Sequence, residues 1–310
     1  MDKPKITPKD FFLWVGAMAT LYGGVVAFIA LLFNYVDTIF PNMLRQYSYD
    51  PYQSGMSYEM AALIVLAPVF LALMRFIRRD IAHDPARKEI WLRRWVLFLT
   101  IFVAGATMII DLIVLLTSFL RGEDITAGFV LKVLIVFLVA GAGFLHFVAD
   151  LRGYWERQPN RARAVNYGVG VLVLVAIVAG FFIVGTPQQQ RLYRFDEQKI
   201  ADLQQIQSQV VYYWQQKQKL PAALTDLQDP LSYFTLPRDP QGEEYKYRAT
   251  GPRAFELCAT FNKESRNSNS AAKPVMYNGL NENWQHTAGE ACFERTIDPD
   301  LYPPAVKGRI

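Results

Sequence analysis

The chain has 310 residues, 52% of them hydrophobic and 19% charged, with a net charge of +4. The length accommodates two domains. The basic residues cluster beside apolar runs, so the positive charge reports membrane topology and not nucleic-acid binding. Three scattered histidines and two cysteines give no metal-ligand spacing, and no cofactor motif is present.

Up to about residue 185 the chain is dominated by long apolar runs; beyond it the composition is that of an ordinary polar domain. A membrane helix needs roughly 20 apolar residues to cross a hydrocarbon core of about 30 Å. Five segments meet or approach this, at residues 11–33, 60–77, 95–120, 127–148 and 167–184. The second and fifth are short but nearly free of charge. The first is too long for the apolar part of a signal peptide and has no small-x-small cleavage site, so it reads as a retained helix. Trp14, Trp91, Trp95 and Trp155 fall near the expected membrane edges.

Lysine and arginine alternate between the connecting loops. Lys3, Lys5 and Lys9 precede the first span. Arg75, Arg78, Arg79, Arg87, Lys88, Arg93 and Arg94 follow the second, and Arg152, Arg157, Arg161 and Arg163 follow the fourth. The other two loops carry only Arg45 and Arg121. Basic loops stay in the cytoplasm, which places the amino terminus inside and everything from about residue 186 outside. Cys258 and Cys292 both lie in that outer part, where an oxidising compartment permits a disulfide. Two free thiols are the alternative.

Two charges fall inside predicted spans. Asp111 is near the middle of the third, on a small and polar stripe with Ala104, Thr107 and Ser118. Lys132 is about a turn and a half into the fourth. The short loop 121–126 makes these spans antiparallel neighbours, with the two charges differing in depth by roughly 6 Å. A lysine stem spans that, so Asp111 and Lys132 are expected to form an intramembrane charge pair. Its functional reading is an ion relay or substrate site. Its structural readings are an ion pair fixing the helix hairpin, or a lysine that snorkels to the interface. His146, near the inner end of the fourth span, reads as an interface hydrogen-bonding group. Glycines 23, 24, 141 and 143 read as close helix contacts.

In the outer part, residues 195–219 show a helical pattern through Ile200, Leu203, Ile206, Val210 and Tyr213, ended by Pro221. A turn at 221–227 follows. Asp239-Pro240-Gln241-Gly242 is a turn signal. Tyr245 and Tyr247 alternate as in a strand, as do Phe255, Leu257, Ala259 and Phe261, and residues 291–297 read as a third strand. Residues 263–272, rich in Ser and Asn, read as a loop. Trp284, His286 and Glu290 are close enough in sequence to line a pocket, although a turn anchored by the tryptophan is the simpler account.

Some of these residues carry a resemblance. Phe11-Phe12-Leu13, Thr20-Leu21-Tyr22, Leu31-Leu32-Phe33 with Asp37, Phe40-Pro41, Ile109-Ile110-Asp111-Leu112, Leu131-Lys132-Val133-Leu134 and Asp150-Leu151-Arg152 resemble the bacterial membrane domain known as domain-of-unknown-function family 5671. The likeness covers roughly residues 8–155. It implies a bacterial membrane protein and no particular activity. A second stretch, a membrane helix running into an amphipathic helix and then Leu220-Pro221, Leu224, Leu227, Leu236-Pro237, Asp239-Pro240, Gly242, Tyr245 and Tyr247, is similar to type II secretion pseudopilins and type IV pilin-like proteins. The chain departs from them in having four spans before this one and no prepilin peptidase site. The resemblance therefore implies a pilin-like outer fold without polymerisation.

The expected fold is an α-helical polytopic bundle of about five transmembrane helices over residues 1–185. A small α+β extracytoplasmic domain follows over 186–310, a long helix packed on a short antiparallel sheet. The expected location is the bacterial inner membrane. No nucleophile motif surrounds any serine, so a binding or scaffold role toward an envelope protein or surface polymer is expected in preference to an enzyme. Transport or ion-coupled sensing through Asp111 and Lys132 is the alternative.

Overall fold

The computed structural model describes residues 7–40, 55–84, 90–228, 234–265 and 283–304. Lys3, Lys5, Arg45, Arg87, Lys88 and most of the Ser/Asn-rich loop lie outside the described residues. The chain divides into two units, Met1–Gly185 and Thr186–Ile310.

The first unit is built from α1 (Pro8–Ile39), α2 (Met56–His83), α3 (Trp91–Leu120), α4 (Ala127–Leu151), the short α5 (Tyr154–Arg157) and α6 (Pro159–Val184). The described residues include five helices long and apolar enough to cross a membrane. At 1.5 Å per residue the 32-residue α1 is roughly 48 Å long, more than a hydrocarbon core requires. Its start is fixed by Thr7, whose hydroxyl accepts from the Asp10 amide while the Asp10 carboxylate accepts from Thr7, a reciprocal cap.

Helix α1 is the hub, packing against α2, α4, α3 and α6; α3 packs on α4, and α2 on α6. Two buried clusters hold it. Near its start, Trp14, Ala17 and Met18 meet Ile77, Ile90, Leu92 and Val96. Near its end, Ala27, Phe28 and Leu31 meet Met56, Met60, Leu63, Ala176 and Val184. Trp91 and Trp95 are 60% and 68% exposed, as lipid-edge rings should be. Trp14 differs: it is buried at 8% exposure, because α2 and the start of α3 close over it. Most large apolar side chains elsewhere, such as Phe102, Leu138 and Phe182, point outward, which suits a lipid surround.

Close helix contacts sit at some of the expected glycines and not at others. A methyl at Gly23 would lie 3.1 Å from Leu66, and Gly141 faces Met108, whereas Gly24 and Gly143 face open space. The tightest approach is at Gly180 on α6. A methyl there would lie 2.9 Å from the Tyr35 hydroxyl and 3.1 Å from Met60 Cγ. The Tyr35 hydroxyl donates to the Ala176 carbonyl on the same helix at 2.5 Å. Gly180→Leu is expected to cost about 1–3 kcal/mol by overpacking, read as a lower thermal midpoint in detergent.

The second unit contains α7 (Pro187–Lys217), a 3-10 turn (Leu224–Leu227) and strands β1 (Lys246–Ala249), β2 (Ala254–Phe261) and β3 (Gly289–Thr296). The sheet is antiparallel in the order β1-β2-β3. Phe255, Leu257, Ala259 and Phe261 alternate inward along the central strand, and with Phe293 and Trp284 they meet Leu203, Ile206, Val210 and Trp214 of α7. Helix α7 begins eight residues before the expected start at 195. Thr186 and Gln189 form a capping box, with Pro187 at the first helical position.

Candidate functional sites

At the membrane unit's helix ends, carboxylates meet bases from neighbouring helices. Lys9 of α1 lies 2.7 Å from Asp80 of α2. Arg93 of α3 lies 3.5 Å from Asp150 of α4. Lys132 of α4 lies 2.6 Å from Asp37 of α1, with its ammonium 5.5 Å from the Phe33 ring centre.

This last contact corrects the expected Asp111–Lys132 pair. Lys132 is near the start of α4 and Asp37 in the last turn of α1, and the alternating topology brings those ends to one edge of the bundle. A lysine stem extends toward the polar edge more readily than into the apolar interior. Asp37 waits at that depth; Asp111 lies deeper. Among the described residues Asp111 joins no ion pair, and its Oδ2 is buried without a hydrogen-bond partner. Helix α3 meets α4 along the adjoining face, where Gly105 approaches Phe144 and Met108 approaches Gly141.

His146 contributes its carbonyl, which accepts from the Trp155 indole at 3.0 Å, and its ring lies against that indole at 5.0 Å. Polar links also cross the bundle between Tyr22 and Thr100, whose hydroxyls are 2.9 Å apart. Such interhelical hydrogen bonds hold membrane helices together where no hydrophobic force distinguishes protein from lipid.

The C-terminal unit holds a second, less expected cluster. Asp196, Lys199 and Asp202 on α7 are 2%, 2% and 4% exposed. Their spacing of three residues puts them on one face, directly before the apolar stretch that begins at Leu203. Lys199 donates to Gln241 Oε1 at 2.8 Å and to the Thr260 carbonyl at 2.6 Å, and lies 3.3 Å from the Asp239 carboxylate. Asp196 accepts from the Asn262 backbone and side-chain amides and from the Lys263 amide, all within 2.9 Å. Asp202 accepts from Gln198 at 2.8 Å and from the Tyr245 hydroxyl at 2.5 Å. The turn at 239–242 presents this set: Asp239 accepts from the Gln241 amide, and Gly242 takes a φ of 86°. All three ammonium protons of Lys199 have acceptors, so the cluster acts as a clasp between helix and sheet.

Burial, and then the hydrogen bond to Asp202, push the Tyr245 phenol far above its ordinary value; burial pushes Tyr247 up to about 12. An unfolded tyrosine ionises near pH 10. These folded-state values are raised, so their contribution to stability is complete below about pH 10 and is lost as pH rises further. The denaturation midpoint is therefore expected to fall above that pH. In Tyr245→Phe, part of this alkaline slope should disappear.

Trp284, His286 and Glu290 do not line a common pocket. Trp284 is buried in the core, with the Arg295 guanidinium 4.3 Å from its ring centre. His286 stacks on Phe261 at 3.7 Å, and burial holds its imidazole below the ordinary value. Glu290 is at the surface, paired with Lys246 at 2.6 Å.

Cys258 and Cys292 form a disulfide between directly opposed residues of β2 and β3, with Cα atoms 4.0 Å apart. Glu256 lies beside the two sulfurs, but sulfurs joined to each other offer no thiolate to a metal.

These features define a multi-pass membrane protein with a separately packed, disulfide-bonded α+β unit. Residues 10–147 match the family described as Domain of unknown function (DUF5671). The match runs from the first turn of α1 to near the end of α4 and takes in Asp37, Asp111 and Lys132; it leaves out α6 and the C-terminal unit. No curated protein and no solved structure matches the chain.

Proposed function

We propose that this protein is a cell-envelope binding or scaffold protein of the bacterial cytoplasmic membrane, holding its C-terminal unit on the outer side. One observation carries the reading: a polar unit with its own core and a disulfide follows a bundle whose exposed surface is apolar. The basic stretches around the α2–α3 and α4–α6 connections support the orientation, because such segments are retained in the cytoplasm. The cysteine bridge independently favours an oxidising side. A long helix on a short antiparallel sheet also suits the pilin-like resemblance, and the partner is an envelope protein or a surface polymer. Crosslinking and pull-down from cells should recover envelope partners with the full chain and lose them when residues 186–310 are removed. Unchanged recovery would sink the idea.

A second reading, ion-coupled transport or sensing, rests on the unpartnered Asp111 oxygen inside α3. Proteoliposomes containing the wild type should then pass an ion that Asp111→Asn does not. Equal flux, or none in either, removes this reading.

A further inference from the structure

The turn between α4 and α6 is braced beyond what a connection requires. Gly153 takes a left-handed φ of 66°, ending α4 and starting the four-residue α5. Trp155 is tied to α4 through the His146 carbonyl. Arg157 folds back to donate to the carbonyls of Gly153, at 3.4 Å, and Arg152, at 2.9 Å. Arg161, in the first turn of α6, donates to the Tyr154 hydroxyl at 2.6 Å. The nearby carboxylate of Asp150 is engaged by Arg93.

This fixed turn therefore displays Arg152, Arg157, Arg161 and Arg163, all exposed, within twelve residues. A guanidinium has five N–H donors, and the contacts described use one on Arg161 and two on Arg157. The remaining forks match phosphate geometry. The flanking surface is that of a membrane edge: Leu151 and Tyr167 are exposed on either side, and Tyr154 and Trp155 are amphipathic rings of the kind that settle among headgroups.

We infer that the α4–α6 turn is a binding site for the phosphate headgroup of an anionic phospholipid. Charge complementarity selects the occupant. A neutral zwitterionic lipid brings a cation along with its phosphate, whereas an anionic one leaves the arginine charge compensated. The site rests on the chain crossing a bilayer and is indifferent to which side the turn faces, so its test stands apart from that of the envelope role.

The test uses the full chain in nanodiscs of equal parts phosphatidylcholine and phosphatidylglycerol, followed by gentle detergent extraction and quantification of co-purifying lipid. Phosphatidylglycerol should be enriched. Each arginine near the surface should contribute about fivefold, so Arg161→Gln lowers the enrichment about fivefold and Arg161→Gln with Arg163→Gln about twenty-fivefold. Arg121→Gln, between α3 and α4 at the other end of the bundle, should leave it unchanged. Inorganic phosphate at the same concentration as the lipid should not displace the bound lipid. Equal enrichment in the double variant, or an equal loss in Arg121→Gln, overturns the site, as does phosphate displacing the lipid. So does a variant-sensitive capture of single-stranded oligonucleotide with lipid preference intact. If the double variant does not fold, Arg152→Gln alone decides, with a fivefold loss expected and no loss overturning.

Discussion

Replacing Cys258 and Cys292 together by alanine should destabilise the C-terminal unit by about 3–4 kcal/mol, the chain-entropy value for a bridge whose cysteines are 34 residues apart. The bridge closes the path between β2 and β3, a long excursion that the unfolded chain explores freely once it is cut. Chemical denaturation of the purified chain, followed by Trp214 and Trp284 fluorescence, measures the effect. A reducing agent added to the wild type should reproduce it, because both treatments remove the same constraint. The double alanine variant should then be insensitive to reductant. A loss below about 1 kcal/mol would mean that the β2–β3 pairing already restrains the unfolded ensemble.

Lys199→Met should cost a similar amount, about 3–5 kcal/mol, for a different reason. Methionine keeps much of the apolar stem, so little packing is lost. What disappears is the cation beside Asp239, a carboxylate itself only 2% exposed. Two further acceptors, Gln241 Oε1 and the Thr260 carbonyl, lose their donor at the same time. Combining Lys199→Met with Asp239→Leu should recover part of the loss, since a buried apolar pair avoids the unpaired charge. Additive losses in that double variant would show that the two residues act independently.

The apolar framework of both units was legible because it obeys local periodicities. Long apolar runs marked α1 to α4 and α6, and alternation marked the first two strands. The cysteine pairing was legible because only two cysteines exist. The clasp at Asp196, Lys199 and Asp202 was not. A charged residue facing a buried partner and one facing water look the same in a helical pattern, and the partners Gln241, Thr260 and Asn262 lie 42 to 66 residues downstream. The early start of α7 was missed although its signal was present: Thr186-Pro187-Gln188-Gln189 is a capping box with proline at the first helical position. Asp37 was not legible as the partner of Lys132 because it lies 95 residues away, on a helix outside the α3–α4 hairpin. An acid in the last turn of a neighbouring span was the available clue.

The position of the bridge within the sheet has a mechanical consequence. Cys258 and Cys292 are exact cross-strand partners, with four residues of β3 following Cys292. Tension on the C-terminal tail would peel those four residues from β2 and then meet a covalent bond. Beyond that point the load passes through Cys258 into the central strand, bypassing the segment between the cysteines. That segment carries Trp284 and His286, so a pull from the tail leaves the anchoring side of the core slack.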